Sequence, residues 1–284
     1  MKPLYLPDSY NYIAVFLTLA CNLKCEYCIN YYEKGKFKKG ILNGQDWLEG
    51  LNRIEPKSDI PVTLQGGEPS LHPDFIFIIK NLRYDFNIDV LTNLQFNVEQ
   101  FIKEVPASRL RRNAPYANIR VSYHPEQMNL DSLIAKTLKM QEAGFSIGIF
   151  TIRHPRYKNI ILEVQKKCKD KNIDFRTKEF LGEYNGRLYG TYKYKESCDK
   201  KFKKSSLCKT TELIIGPTGD IYRCHHDLYE NFSPIGHILD RNFQVSDIYR
   251  KCGYFGHCNP CDAKIKNNRF QKFGYTSVKI KNID

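Results

Sequence analysis

Six short runs rich in β-branched and aliphatic residues alternate with helix-like segments over the first two thirds of the chain. This alternation limits the fold more than any other feature. The runs are IAVFLTL (13–19), IPVTLQ (60–65), IDVLTN (88–93), IRVSYH (119–124), FSIGIFTI (145–152) and IDFRTKEF (173–180). Between them lie GQDWLEGLNRI (44–54), DFIFIIKNLRYD (74–85), NVEQFIKEV (97–105), LDSLIAKTLKMQEAG (130–144) and NIILEVQKKCKDK (159–171). In the fourth, Leu130, Leu133, Ile134 and Leu138 keep the helical period and Gly144 is placed to end it. Repeated strand–helix units build a parallel sheet with helices outside and right-handed crossovers. The expectation is an α/β fold, an open doubly wound sheet or an incomplete barrel, with ligands at the C-terminal edge of its strands.

Beyond about residue 185 the pattern changes. YNGRLYGTYKYKESC is polar, aromatic and lysine-rich, and reads as a connector. TELIIGPTGDIYRC (211–224) has two apolar runs about a Pro217-Thr218-Gly219-Asp220 turn, and predicts a hairpin. The rest has little periodicity. The chain therefore divides into a βα region, 1–185, and a small C-terminal lobe, 186–284, with too little core to stand without a staple.

Ten cysteines offer that staple. The apolar run YIAVFLTLA (12–20) is far shorter than the ~20 residues of a spanning helix. Although it ends in a cysteine, its flanks match a lipoprotein signal poorly, with Asp8 and two prolines ahead of it. A buried strand fits better, and mean hydropathy is −0.51. The chain is expected to be cytoplasmic, with nothing removed and no membrane partner. Thiols there stay reduced, so disulfides are not expected. Three cysteines fall at 21, 25 and 28, six between 198 and 261, and Cys168 stands apart in a helical run. Such clustering points to metal or iron–sulfur binding.

Cys21, Cys25 and Cys28 directly follow the first strand. Structural zinc takes four ligands, and His72 and His124 are remote in sequence. A four-iron, four-sulfur cluster tolerates one iron without a protein ligand. C-x3-C-x2-C with Tyr27 before the third cysteine, and Gly66-Gly67-Glu68-Pro69 ending the second strand, resemble the signatures of radical S-adenosylmethionine (SAM) enzymes.

The resemblance covers about residues 10–185 and implies a partial (βα)6 TIM-type barrel. It implies that SAM ligates the fourth iron through its amino and carboxylate groups. One electron then cleaves SAM to methionine and a 5′-deoxyadenosyl radical, which abstracts hydrogen from a substrate. By the same resemblance, Gly66 and Gly67 let the backbone approach the methionine, and the Glu68 carboxylate faces its ammonium group. Asn93 in LTNL is similar to the family's T-N-G, with Leu94 replacing the glycine. Ser122 and His124, ending strand four, stand where members place polar groups near the ribose or carboxylate. Arg153, ending strand five, is expected to pair with the methionine carboxylate.

In the C-terminal lobe, Cys208, Gly219 and Cys224 at C-x10-G-x4-C spacing, followed by Cys258-x2-Cys261, resemble the twitch domain, a shortened SPASM domain. PIGHI (234–238) sits where the family has a short apolar run. The resemblance implies one auxiliary four-iron, four-sulfur cluster on Cys208, Cys224, Cys258 and Cys261. In an isolated lobe the same residues would suit zinc. Cys198 and Cys252 stand outside the pattern and are expected not to ligate; the alternatives are that Cys252 replaces Cys208 as a ligand, or that either thiol donates a hydrogen atom or contacts the substrate. The seven-cysteine SPASM spacing is absent, so two auxiliary clusters are not expected.

Lys and Arg number 44 against 31 Asp and Glu, a net charge of +13. The stretch 192–209 alone carries seven lysines. A lysine run is usually a solvated face; a functional reading is attraction of an anionic partner. The expected substrate is a small anionic molecule, such as a sugar or cyclitol undergoing dehydrogenation or epimerisation; the alternative is a peptide. The resemblance also implies an electron donor such as flavodoxin or ferredoxin. A competing reading from another class is a zinc-stabilised nucleic-acid-binding protein, but no nucleic-acid module accompanies the charge.

Overall fold

A computed structural model describes residues 2–30, 40–55 and 59–282. Six parallel strands follow the expected order: β1 (Tyr12–Thr18), β2 (Val62–Gly66), β3 (Ile88–Thr92), β4 (Ile119–Tyr123), β5 (Ile147–Arg153) and β6 (Asp174–Glu179). The intervening helices are α1 (Gly44–Leu51), α2 (Phe75–Asn81), α3 (Val98–Glu104), α4 (Leu130–Glu142) and α5 (Lys158–Asp170). Asparagines start three of them: Asn43, Asn97 and Asn129 accept from the backbone N–H of Asp46, Gln100 and Ser132 at 2.8–3.0 Å. Gly144, at φ 87°, ends α4 as expected.

Alternation along each strand sorts the side chains. Ile13, Val62, Ile88, Val90, Ile119, Ile147 and Ile149 face the helices and form the main core with Trp47, Ile78, Phe101 and Val164. Pairings such as Ile13 with Val62, Val62 with Ile88 and Ile119 with Ile147 hold these apolar rows in line. A shift of one residue would turn a whole row over. The opposite face is the inside of an open, partial (βα)6 barrel.

The C-terminal region contributes β7 (Lys204–Thr210), β8 (Glu212–Ile215), β9 (Asp220–Tyr222), β10 (Gly236–His237), β11 (Arg250–Phe255) and β12 (Val278–Asn282). The expected hairpin is present as β8 and β9, antiparallel. It does not stand apart in a separate lobe. β8 runs parallel to β1, with Ile214 opposite Ala14, so one nine-stranded sheet runs β10-β9-β8-β1-β2-β3-β4-β5-β6. The inner residues Ala14, Phe16, Ile214 and Tyr222 close this junction with Leu228 and Tyr229. The rest of the region forms a second sheet with β7 between β11 and β12.

On the inner face of β3, the fully buried Asp89 receives Arg112 and Arg120, each at 3.1 Å, and Arg112 also reaches Asp59 at 2.9 Å. A buried carboxylate serving two guanidinium groups is costly to remove. Asp89→Ala should lower the unfolding free energy by about 3–5 kcal/mol in urea titrations. A loss under about 1 kcal/mol would mean that water replaces the carboxylate.

Candidate cofactor site and second cysteine cavity

The loop after β1 is fastened by its backbone. The Gly67 N–H donates to the Thr18 carbonyl at 2.9 Å and the Glu68 N–H to the Ala20 carbonyl at 2.8 Å. A Cβ on Gly66 would lie 2.0 Å from the Thr18 oxygen, and one on Gly67 2.2 Å from the Ala20 oxygen. The two glycines thus permit the close approach of β2 to the segment that leads into Cys21.

Glu68 extends this clamp. Its carboxylate is 1% exposed. One oxygen accepts from Ser70 N at 3.1 Å, Ser70 Oγ at 2.7 Å and Thr92 Oγ1 at 2.7 Å; the other accepts from Asn93 N at 2.6 Å. Burial pushes its pKa up, against the pull of these bonds. Asn93 Nδ2 in turn donates to Asn22 Oδ1 at 2.7 Å, inside the cysteine loop. Glu68 therefore joins the ends of β2 and β3 to that loop; its hydrogen bonds are to the protein itself. Leu94, in the family's glycine place, sits at φ 58° and is fully buried. The left-handed backbone is kept despite its Cβ, with the Leu94 N–H donating to Thr92 Oγ1 at 3.0 Å.

Cys21 and Cys25 are half-buried and Cys28 is exposed. Burial, with the neighbouring Cys28 and Cys21 thiols, pushes the Cys25 thiol up to about 12. Burial likewise raises Cys21, while the Leu23 N–H donates to its sulfur at 3.4 Å. The three thiols follow one another on one short loop, one presented to solvent, while among the described residues no three His, Cys, Asp or Glu side chains are already gathered around a single metal position. Loading such a site displaces thiol protons.

Tyr27 and His124 are hydrogen-bonded at 2.9 Å. Burial and the Lys178 charge lower His124 to about 4, so the imidazole is neutral at neutral pH. Ser122 lies on the inner face of β4. Arg153 is exposed and has no partner among the described residues; alternation from the buried Ile149 turns it to the helix side. Its neighbour His154 was missed by sequence reasoning. His154 lies 5.3 Å from the Tyr27 ring and packs on Phe180 and Tyr184. The two-residue period of β5 was the signal that separates them.

In the C-terminal region, Cys208, Cys224, Cys252 and Cys258 line a small cavity of about 30 Å³, together with Arg223, His226, Asp227, Arg250, Tyr254 and Asp262. Two short helices bring these parts together. α6 (His225–Tyr229) starts at Cys224, whose sulfur accepts from Asp227 N, and α7 (Pro260–Ala263) starts at Asn259. Asp262, 1% exposed, accepts from the N–H groups of His225 and His226 at 2.9 and 3.0 Å. This ties the Cys258 loop to Cys224. The expected set thus meets the structure in three members. Cys261 is not among the lining residues; its N–H is held by Asn259 Oδ1 at 2.9 Å, and its charged neighbours include Lys264, Lys266 and Glu212. Cys252, expected to be spare, faces the cavity because β11 pairs with β7 and sets Cys252 opposite Ser206, two residues before Cys208. The Cys208 thiol hydrogen-bonds Cys252 and, with the Arg223 charge, pulls its pKa down. Cys168 is a core residue of α5, its thiol raised to about 11 by burial.

Residues 15–174 match the model of the Radical SAM superfamily. That is more than half of the 284 residues, and the chain belongs to this superfamily of enzymes. Its cofactors are accordingly a four-iron, four-sulfur cluster and SAM. Among characterised proteins the chain is similar to GTP 3′,8-cyclase of Sulfurovum sp. (strain NBC37-1), 25% identical over 194 residues. That match covers 61% of this chain and 56% of the cyclase. The GTP 3′,8-cyclase of Nautilia profundicola (strain ATCC BAA-1463 / DSM 18972 / AmH) is 25% identical over 214 residues, covering 70% of this chain and 66% of that one. The chain spans little more than half the length of the first of these relatives. Among solved structures, anSMEcpe with bound AdoMet aligns with a TM-score of 0.53 at 16% identity, over 85% of this chain and 79% of that one. Streptococcus suis SuiB bound to precursor peptide SuiA gives 0.56 at 14% identity, over 82% and 63%. At these identities the likeness is one of fold.

The Glu68 geometry generates a test. Glu68→Gln keeps the shape but sets an amide NH2 against the Asn93 N–H, donor to donor. The expected loss is about 1–3 kcal/mol of stability, read by thermal or urea unfolding of the cluster-free protein. An unfolding curve identical to wild type would show that the carboxylate is not held as described.

Proposed function

We propose that this enzyme uses SAM, bound at a cluster on Cys21, Cys25 and Cys28, to abstract hydrogen from a small anionic substrate inside the barrel. The observation that carries the reading is the clamp of Gly66, Gly67 and Glu68 on the three-cysteine loop at the C-terminal edge of the sheet. When bound, the cluster and SAM supply a one-electron reductive cleavage and an adenosyl radical. The chain's own residues position that chemistry. The Glu68–Asn93–Asn22 network fixes the loop, and the Tyr27–His124 pair sets one wall beside it. The sheet's inner face keeps the reacting groups away from bulk water. Ser122 and the backbone of Gly66–Pro69 remain proposed SAM contacts, whereas Arg153, turned away, would have to swing to reach a carboxylate.

An anionic small molecule is favoured by the net positive charge and by the relatives' named substrate, GTP, itself a polyanion. Whether the reaction is dehydrogenation, epimerisation or a rearrangement follows from that substrate. A reduced flavodoxin or ferredoxin would deliver the electron. All ten cysteines are free thiols, which supports a reducing, cytoplasmic setting. No helix among the described residues is long and apolar enough to cross a membrane. Membership in an enzyme superfamily sets aside the non-enzymatic nucleic-acid reading.

We further propose that the second cavity holds an auxiliary four-iron, four-sulfur cluster through Cys208, Cys224, Cys258 and one more thiol. The lining favours Cys252 in that fourth place over Cys261, the residue expected from the spacing.

Two measurements test these assignments. Replacing Cys21, Cys25 and Cys28 together by Ala should abolish 5′-deoxyadenosine formation while about four irons per chain remain after anaerobic reconstitution. Undiminished SAM cleavage in that variant would overturn the reading. For the second cavity, Cys252→Ser should lower the iron content from about eight toward four per chain, and Cys261→Ser should leave it near eight. The reverse pattern restores the spacing-based set.

A further inference from the structure

The inside of the barrel carries more positive charge than it neutralises. Besides Arg112 and Arg176, which are held by Asp59, Asp89 and Asp174, four more cationic side chains gather there. Arg120 extends from the inner face of β4 and Lys178 from that of β6. Lys264 and Lys266 come from the segment after α7, where the Ile265 N–H donates to the Thr191 carbonyl at 2.7 Å and the Thr191 hydroxyl donates to Glu179, next to Lys178 on β6, at 2.7 Å; Lys266 Nζ lies 5.6 Å from the Tyr12 ring centroid of β1. Two of the four have carboxylates. Arg120 is paired with Asp89, and Lys266 with Glu212 and with Ser277 Oγ at 2.7 Å. The other two have none. Among the described residues neither Lys178 nor Lys264 has a hydrogen-bonded or ion-pair partner for its ammonium group.

Burial, with the charges of Arg120 and Lys264, brings the Lys178 pKa down to about 7, opposed by the Cys261 thiol. Lys178 Nζ lies 5.5 Å from the Phe150 ring centroid, on the next strand, and its charge also reaches His124. His124 in turn bonds Tyr27 of the cluster loop. The lysines therefore face the same inner space as the cofactor wall. Two half-buried like charges repel each other and lose hydration, a cost that an anion between them would offset. Lysine binds phosphate as a point charge, without the fork that arginine needs.

We propose that Lys178 and Lys264 form the substrate's anion subsite and hold a phosphate or carboxylate group inside the barrel. This rests on the small-anionic-substrate reading above and adds the residues that recognise the anion.

The test uses the reconstituted holoenzyme with SAM bound, titrated calorimetrically with pyrophosphate and, separately, citrate. Wild type should bind at least one probe. Binding should weaken at least tenfold in the K178M/K264M double variant and in K264M alone. The charge-keeping K178R/K264R variant should stay within about threefold of wild type. Tighter binding of pyrophosphate assigns a phosphate group, and of citrate a carboxylate; either supports the subsite. Equal binding by wild type and K178M/K264M would overturn it. So would a tenfold loss of SAM affinity with anion binding unchanged, because the lysines would then serve the carboxylate of SAM. Iron content and circular dichroism report folding of each variant, and K264M alone stands in if the double variant fails to fold. Lysine-dependent anion binding in a protein that cleaves no SAM would uphold the subsite while refuting the radical reading.

Discussion

The arrangement of the N-terminal site depends on one buried carboxylate. Glu68 sits where β2 ends, with no cation beside it among the described residues, and its charge is dispersed over four donors from three residues. Two glycines bring its backbone against residues 18–20, so the carboxylate and the cysteine loop become one rigid body. The sulfur-bearing loop itself has little regular structure to hold it. What fixes it comes from outside: the carbonyls of Thr18 and Ala20, Asn93 on Asn22, Gln127 on the Lys24 N–H at 2.6 Å, and His124 on Tyr27. A loop braced by several strand ends is preorganised for a cofactor that supplies only part of its own geometry.

Much of the fold was legible because the barrel is built from local units. Each βα repeat carries its own signal, a β-branched run and then a 3.6-residue pattern, and the observed strands fall within a residue or two of those expected. The attachment of β8 to β1 was not legible. Parallel pairing between segments far apart leaves no local trace, and a hairpin's sequence does not say which sheet it joins. The cysteine motifs pointed to the N-terminal loop and to the second cavity for the same local reason. They did not place Cys252 at the cavity, which depends on β7–β11 register, or Asp262 beneath it, which depends on how two short helices meet.

Side-chain roles were the least legible part. Glu68 has the residue type to meet an ammonium group, yet its oxygens are turned into the protein. Leu94 breaks the glycine pattern but keeps the glycine conformation. Arg153 and His154 differ by one position, and only alternation along β5 separates the exposed residue from the inner one. Lys178 drew no notice in a lysine-rich sequence, since being unpaired is a property of its surroundings.

The pairing of β8 with β1 has a consequence for how the chain reaches this shape. Tyr12 lies opposite Glu212, so the sheet closes on this side only after two hundred further residues have been made. Contacts of such long range slow folding, because chain entropy is lost before the contacts form. During synthesis the first strand would emerge early and keep one edge bare while five βα units assemble on the other. That edge leads straight into the three-cysteine loop, so the nascent enzyme exposes an open strand beside it until the last third of the polypeptide arrives to pair with that strand.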